Sequence, residues 1–249
     1  MSHKVIRFEP EGPDGLKPMT LSADDFHVMP EEQTLHVYFE DKDLGMSAGV
    51  WTTTSMQEAF GPYPGDEFIL VLDGQFRMLD ASGDGVPATK GQCVLFRNGI
   101  PVSWKQDGFL KKFYITYMDP LAEVPQIDSA DGGVLTMDPG IALTEADAML
   151  EHPGQRDRVL MTNAHGNMEM GIWDTEAMQT EMAPFPWHEF AVVQEGEVTI
   201  SEPGGLSQTF VAGDVFFIPE GTVCSWSVPN YLRKYYATLD PKIRPGTKG

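Results

Sequence analysis

Positive charge, cysteine and histidine are all scarce in this sequence, and each scarcity argues against something. Lysine and arginine together number 17 against 37 aspartates and glutamates, for a formal net charge of −20 over 249 residues. A field of that sign repels phosphate backbones and anionic lipid, so nucleic acid and membrane surfaces are poor partners. The two cysteines, Cys93 and Cys224, have no zinc-type spacing. A disulfide framework is therefore not expected, and a reducing cytoplasm is the simplest compartment. No stretch of about 18 apolar residues is available to span a bilayer, and the opening MSHKVIRFEPEGPDG lacks the apolar run of a signal peptide. Core-forming material, by contrast, is plentiful. Hydrophobic residues at 41%, with 14 Phe, 7 Tyr and 5 Trp, exclude a disordered chain and leave room for one or two cores.

What the sequence does have is a repeat. Shifted by 122 positions, residues 21–116 align with residues 143–238 without a gap. Gly49 and Trp51 fall on Gly171 and Trp173, Met56 and Gln57 on Met178 and Gln179, Pro62 and Pro64 on Pro184 and Pro186. The block PGDEFILVLDGQF lies over PWHEFAVVQEGEV, Ser103-Trp104 over Ser225-Trp226, and LKKFYIT over LRKYYAT. One register held across so many Gly, Trp and Pro positions indicates an internal duplication. The repeats close near MDP (118–120) and LDP (239–241). This predicts an N-terminal domain over 1–118, a Pro/Gly/Asp-rich linker over 119–142, and a C-terminal domain over 143–249.

Within each repeat the pattern is that of strands. The runs EFILVL (67–72), CVLF (93–96), KKFYITY (111–117), EFAVV (189–193), DVFFI (214–218) and RKYYATL (233–239) are short and rich in β-branched and aromatic residues. Gly, Pro, Asp or Asn bounds them. Short helix starts are expected at Ser22 and Thr144, where a hydroxyl precedes acidic residues. Many evenly spaced strands with glycine turns predict an all-β barrel or sandwich.

Two spacings then narrow the fold. Glu67 and Glu189 are each followed by six residues and a glycine, Gly74 and Gly196. Gly213 through Pro219 and Gly221 reads G-x5-P-x-G, and Gly91 through Gly99 repeats it with Arg97 in place of the proline. These motifs resemble those of the cupins, whose double-stranded β-helix is a jelly-roll (RmlC-like) barrel around a central pocket. The chain is similar to a tandem two-barrel cupin (a bicupin). The closest resemblance is to the subgroup that includes the ethanolamine-utilisation cupin and the two-barrel (S)-ureidoglycine aminohydrolases.

That resemblance implies a metal held by a His-x-His pair ahead of the glutamate and by a later histidine. Here the first region reads Ala183-Pro-Phe-Pro-Trp in one repeat and Gly61-Pro-Tyr-Pro-Gly in the other. The later histidine position is held by Cys224 and Val102. His188 is adjacent to Glu189 on a strand, where neighbours face opposite sides, so it is expected outside the barrel or at its rim. Cys224 occupies a ligand position, yet buried free cysteine is usually an inert small hydrophobe, and no histidine nearby in sequence would activate it.

A different pair is kept in both repeats: Glu67 with Lys112, and Glu189 with Lys234. Lys234 shares a strand face with Tyr236. If that face is inward, the ammonium replaces the metal as the cation opposing a buried carboxylate, which needs a partner. The alternative has both lysines in solvent. Trp104, Trp226, Met168, Met170, Met178 and Met182 are read as core or pocket wall.

The leading expectation is a degenerate, cofactor-free bicupin binding a small polar metabolite in its C-terminal barrel, as a monomer or homodimer. Its pocket would include Glu189, Cys224, Trp226, Lys234 and Tyr236, with Glu67 and Lys112 in the other barrel. Catalytic candidates are Glu189, Lys234 and Cys224, although whether there is a reaction at all stays open. One alternative is a metal-dependent hydrolase or isomerase with one Mn, Fe, Ni or Zn ion held by Glu189 together with His188, Cys224 or Gln179. The other is a non-catalytic sensor or structural module.

Overall fold

The computed structural model describes residues 3–128, 132–138 and 140–243. Among these residues it is all-β, apart from two single-turn 3-10 helices at Ala23–Asp25 and Glu145–Asp147. Both expected helix starts are there, and they differ in their caps. Ser22 makes no side-chain cap, whereas Asp147 accepts hydrogen bonds from the Thr144 backbone N–H (2.6 Å) and hydroxyl (3.0 Å). No helix among the described residues is long and apolar enough to cross a membrane.

The chain divides into two compact units, Glu9–Gly140 and Met1–Phe8 with Ile141–Gly249. In the first, strand Asp66–Asp73 lies between Cys93–Phe96 and Leu110–Tyr117, and the latter pairs on its far side with Met46–Thr53. A second sheet sets Gln75–Leu79 between Gly85–Thr89 and Pro101–Gln106. The core is aromatic. Phe76 stacks on Trp104 at 3.8 Å between centroids, and Tyr63 stacks on Phe96 at 4.7 Å.

The second unit runs the same pairings through fewer, longer strands. His188–Glu202 and Val223–Leu239 each continue across the bend at which their counterparts break. Their mutual register slips around Glu195–Thr199. Gly196 sits at that slip with φ 78°, and an added Cβ would stand 1.9 Å from the Tyr231 carbonyl oxygen. Gly74 is placed likewise, 2.2 Å from the Phe109 carbonyl. The glycine that closes the first motif is thus required twice over, by its left-handed backbone and by a neighbouring strand.

The domain boundaries differ from those expected at 118 and 143. Residues 119–142 are more than a linker, because Val134–Thr136 pairs with Cys93–Phe96 as the outermost strand of the first unit. The corresponding edge of the second unit, Val215–Ile218, is covered by Ile6–Arg7 from the far end of the chain. Phe8 sets its ring edge-on against Phe190 at 5.4 Å, and Arg7 pairs with Asp214 at 2.9 Å. No internal alignment could reveal this, since both edge strands lie outside the repeated segment.

Two outcomes follow. Gly196→Ala should lower stability by about 1–3 kcal/mol or more, read as a denaturant midpoint shift. Deleting residues 1–8 removes the buried Val5 and Phe8, each worth about 1.5–3 kcal/mol. It also bares the apolar edge Val215–Ile218, so the shortened chain should melt earlier and aggregate on heating.

Candidate functional site

Each unit buries a lysine against a glutamate. Lys112 Nζ lies 2.8 Å from Glu67 Oε1, and Lys234 Nζ is in hydrogen-bond contact with Glu189 Oε1. All four side chains are at least nine-tenths buried. Strand register explains the setting. Trp51 is the cross-strand neighbour of Lys112, and Trp173 of Lys234, so an indole is placed beside each ammonium. A second indole comes from the strand that follows the second motif. Lys112 Nζ lies 5.0 Å from the Trp51 ring centroid and 4.7 Å from that of Trp104. Lys234 Nζ lies 4.9 Å from Trp173, 4.8 Å from Trp226 and 5.7 Å from Tyr236. Carboxylate and ring faces together replace the water that a buried ammonium loses.

The second carboxylate oxygen is treated differently in the two units. Glu67 Oε2 accepts the Tyr63 hydroxyl, whereas Phe185 stands at the equivalent place in the other repeat. There Trp187 brings its indole N–H to 3.5 Å from Glu189 Oε2, a long contact. Glu189 therefore keeps an oxygen turned toward the cavity with only a weak donor upon it.

That cavity has a volume of about 620 Å³ and is lined mainly by apolar and aromatic groups, among them Trp173, Trp226, Phe185 and Met178. Asp157 and Glu169 form an acidic side. Tyr236 donates its hydroxyl to Asp157 Oδ1 at 2.8 Å, which it can reach because Gly171 lies beneath it. A Cβ at Gly171 would stand 2.8 Å from the Tyr236 hydroxyl oxygen. Burial raises the Asp157 and Glu169 carboxyls and the Tyr236 phenol above their ordinary ranges. The first unit has its own cavity of about 600 Å³, with Glu58, Glu67, Tyr63 and Lys112 in the wall.

The structure brings Glu189, Lys234, Tyr236, Trp226 and Cys224 to one cavity, and Glu67 and Lys112 to the other. Burial pushes the Cys224 thiol up to about 11, so it is a neutral thiol at ordinary pH. Trp226 leans its indole N–H on that thiol without a hydrogen bond of ordinary geometry. Its counterpart Trp104 donates to Gln106 at 2.9 Å, a partner lost where the second repeat has Val228.

His188 is not the surface or rim residue expected. It is buried, stacks on Phe217 at 6.0 Å, and accepts the Glu220 backbone N–H at Nδ1 (3.1 Å), away from the cavity. Gln179 is exposed, and Met168 and Met170 belong to the core. Among the described residues no group of three His, Cys, Asp or Glu side chains converges as metal ligands would. The donor set around Glu189, one carboxylate already engaged by an ammonium, does not fit a divalent metal.

Among the cavity residues that escaped the sequence reading are Asp157, Glu58 and His152. None is repeated, since their counterparts are Leu35, Thr180 and Pro30, so no internal signal marks them. Trp51 and Trp173 were visible as repeat landmarks, and their pairing with the lysines was the available clue.

Residues 162–236 match the EutQ-like cupin domain. A solved structure from Pseudomonas syringae pv. tomato str. DC3000, a protein of unknown function of the DUF861 family, is 20% identical with a TM-score of 0.72. The match covers 96% of this chain and 100% of that one. A Cupin 2 conserved barrel domain protein from Leptotrichia buccalis is 10% identical (TM-score 0.59), over 90% and 96% of the two chains. A salicylate 1,2-dioxygenase from Pseudoaminobacter salicylatoxidans is 14% identical (TM-score 0.52), over 80% and 73%. At such identities the likeness is one of fold. No curated protein matches the chain. The EutQ-like cupin segment falls within the second unit, and the full-length likeness, which is one of fold, spans both.

Proposed function

We propose that the C-terminal barrel binds a small polar metabolite above the Lys234–Glu189 pair, with the lysine ammonium serving where a metal cation would otherwise oppose the glutamate. One observation carries this reading: the pair lies buried in the wall of a 620 Å³ cavity, held between Trp173 and Trp226. A concave, largely apolar hollow with a few convergent polar groups is the usual form of a small-molecule site. The ring faces give the ligand area to cover. Glu189 Oε2, the Asp157–Tyr236 pair and Trp187 supply directional contacts at its edge.

The chemistry such a floor supports is recognition and local electrostatics. An ammonium fixed against a carboxylate presents a dipole to the ligand and does not need to reorganise on binding. Cys224, as a neutral thiol beside the wall, acts as a small apolar surface. Either a monomer or a homodimer would carry this site.

Elemental mass spectrometry of untagged protein purified without chelator tests the metal half of this proposal. It should find no stoichiometric Mn, Fe, Ni or Zn, and none gained on titration. A bound metal at one equivalent that is lost in Glu189→Gln would overturn it. A thermal-shift screen against polar metabolites tests the other half, since a ligand at 100 times its Kd should add about 2.7 kcal/mol of apparent stability.

The pair itself is tested by a double-mutant cycle. Lys234→Met leaves Glu189 buried without a cation and should cost about 3–5 kcal/mol at neutral pH. Glu189→Gln with Lys234→Met should recover much of that loss. Additive effects of the two substitutions would mean that the carboxylate and ammonium are not coupled.

A further inference from the structure

The cavity of the first unit contains a carboxyl that the rest of the wall leaves unanswered. Glu58, on strand Met56–Glu58, lines this cavity with Glu67, Tyr63 and Lys112. Lys112 is already committed to Glu67, and the Tyr63 hydroxyl to the other oxygen of that carboxylate. The Glu58 carboxyl accepts no hydrogen bond and forms no ion pair among the described residues. Asp24 and Asp25 add two more acids to the same wall. The cavity therefore holds four acidic side chains against one cation that is spent.

Its walls are also suited to an organic cation. Trp51, Trp104, Phe26, Phe60 and Tyr63 all face it. A protonated nitrogen gains from such faces when it leaves water. In the second unit the Glu58 position is Thr180, and the acids of that cavity, Asp157 and Glu169 among them, stand at other places on its wall.

We propose that the N-terminal barrel is a second binding site, for a small organic molecule bearing a protonated amine, and that Glu58 is the group that pairs with the amine and loses its proton on binding. Burial pushes the Glu58 carboxyl up to about 7, with Lys112 opposing the rise and Glu67 and Asp25 adding to it. These three, with Asp24, Tyr63 and Tyr114, are the charged or titratable groups that line the cavity beside Glu58. On the strand paired at Phe26, His27 is exposed and alternates to the other face, as Lys105 does on the neighbouring strand. An arriving ammonium favours the carboxylate, so binding releases a proton below about pH 7 and none well above it. Affinity should then rise by about tenfold from pH 6 to pH 8. The sign for stability is opposite. A carboxyl raised in the folded state weakens the fold as pH climbs from the ordinary glutamate range through 7, so Glu58→Gln should be at least as stable as the parent at pH 8.

The test uses the full chain with 15N-labelled tryptophan, titrated with n-butylamine and tyramine, and with n-butanol as the neutral control. Both amines stay protonated across the range. The indole signals of Trp51 and Trp104 report the first cavity, and those of Trp173 and Trp226 the second. The amines should shift the Trp51 and Trp104 signals, bind about tenfold more tightly at pH 8 than at pH 6, and leave n-butanol without effect. Glu58→Gln should abolish the pH dependence and weaken binding at pH 8. In the parent protein, 13C signals of the Glu58 carboxyl should show its titration midpoint falling when amine is added. Shifts confined to Trp173 and Trp226, equal affinity at both pH values, an unmoved Glu58 midpoint, or an unchanged pH dependence in Glu58→Gln would each overturn the proposal.

Discussion

An ammonium taken out of water is a severe constraint, and in each barrel much of the interior is arranged to satisfy it. Lys234 needs a carboxylate within hydrogen-bond reach, which brings Glu189 to face it across the sheet. It also needs polarisable surface on its remaining sides, which Trp173 and Trp226 supply as ring faces. Those indoles are held in turn by Phe185, Phe216 and each other. Replacing one member therefore disturbs charge balance and packing together. The same chain of dependence runs through Lys112, Glu67, Trp51 and Trp104 in the other unit, where Phe76 and Phe96 complete it.

Around this common floor the two cavities differ in where their acids stand. The second places acids on the side reached by Tyr236, where Asp157 and Glu169 stand in the positions of Leu35 and Ser47. The first places its unpaired acid on the opposite strand, at Glu58, and closes its floor glutamate with Tyr63. The acids of one wall therefore stand where the other wall has none. Two similar barrels thus differ in their walls while relying on one interaction for their integrity.

Much of this was legible in the sequence because strands carry their geometry in alternation and register. The glutamate-to-glycine spacing located Gly74 and Gly196, and the structure shows why no side chain fits there. Lys234 and Tyr236, two apart, had to share a face. What the sequence does not display is which distant strand lies alongside. Asp157 reaches the site only because Gln155–Thr162 pairs with Met168–Gln179. His188 looked exposed because strand alternation says only that it points away from the barrel. It says nothing of the Phe217 ring that covers it. The edge strands were illegible for the same reason, since a two-residue pairing such as Ile6–Arg7 leaves almost no periodic signal.

That last pairing bears on how the chain acquires its structure during synthesis. Residues up to Phe8 are made before the first unit, yet they complete the second. The first barrel has all its strands once Thr136 has been made. The second must wait for strand Val215–Ile218 before the amino-terminal strand has anything to pair with. Throughout translation the segment carrying Val5 and Phe8 remains without its native partner, a vulnerable interval set by strand order alone.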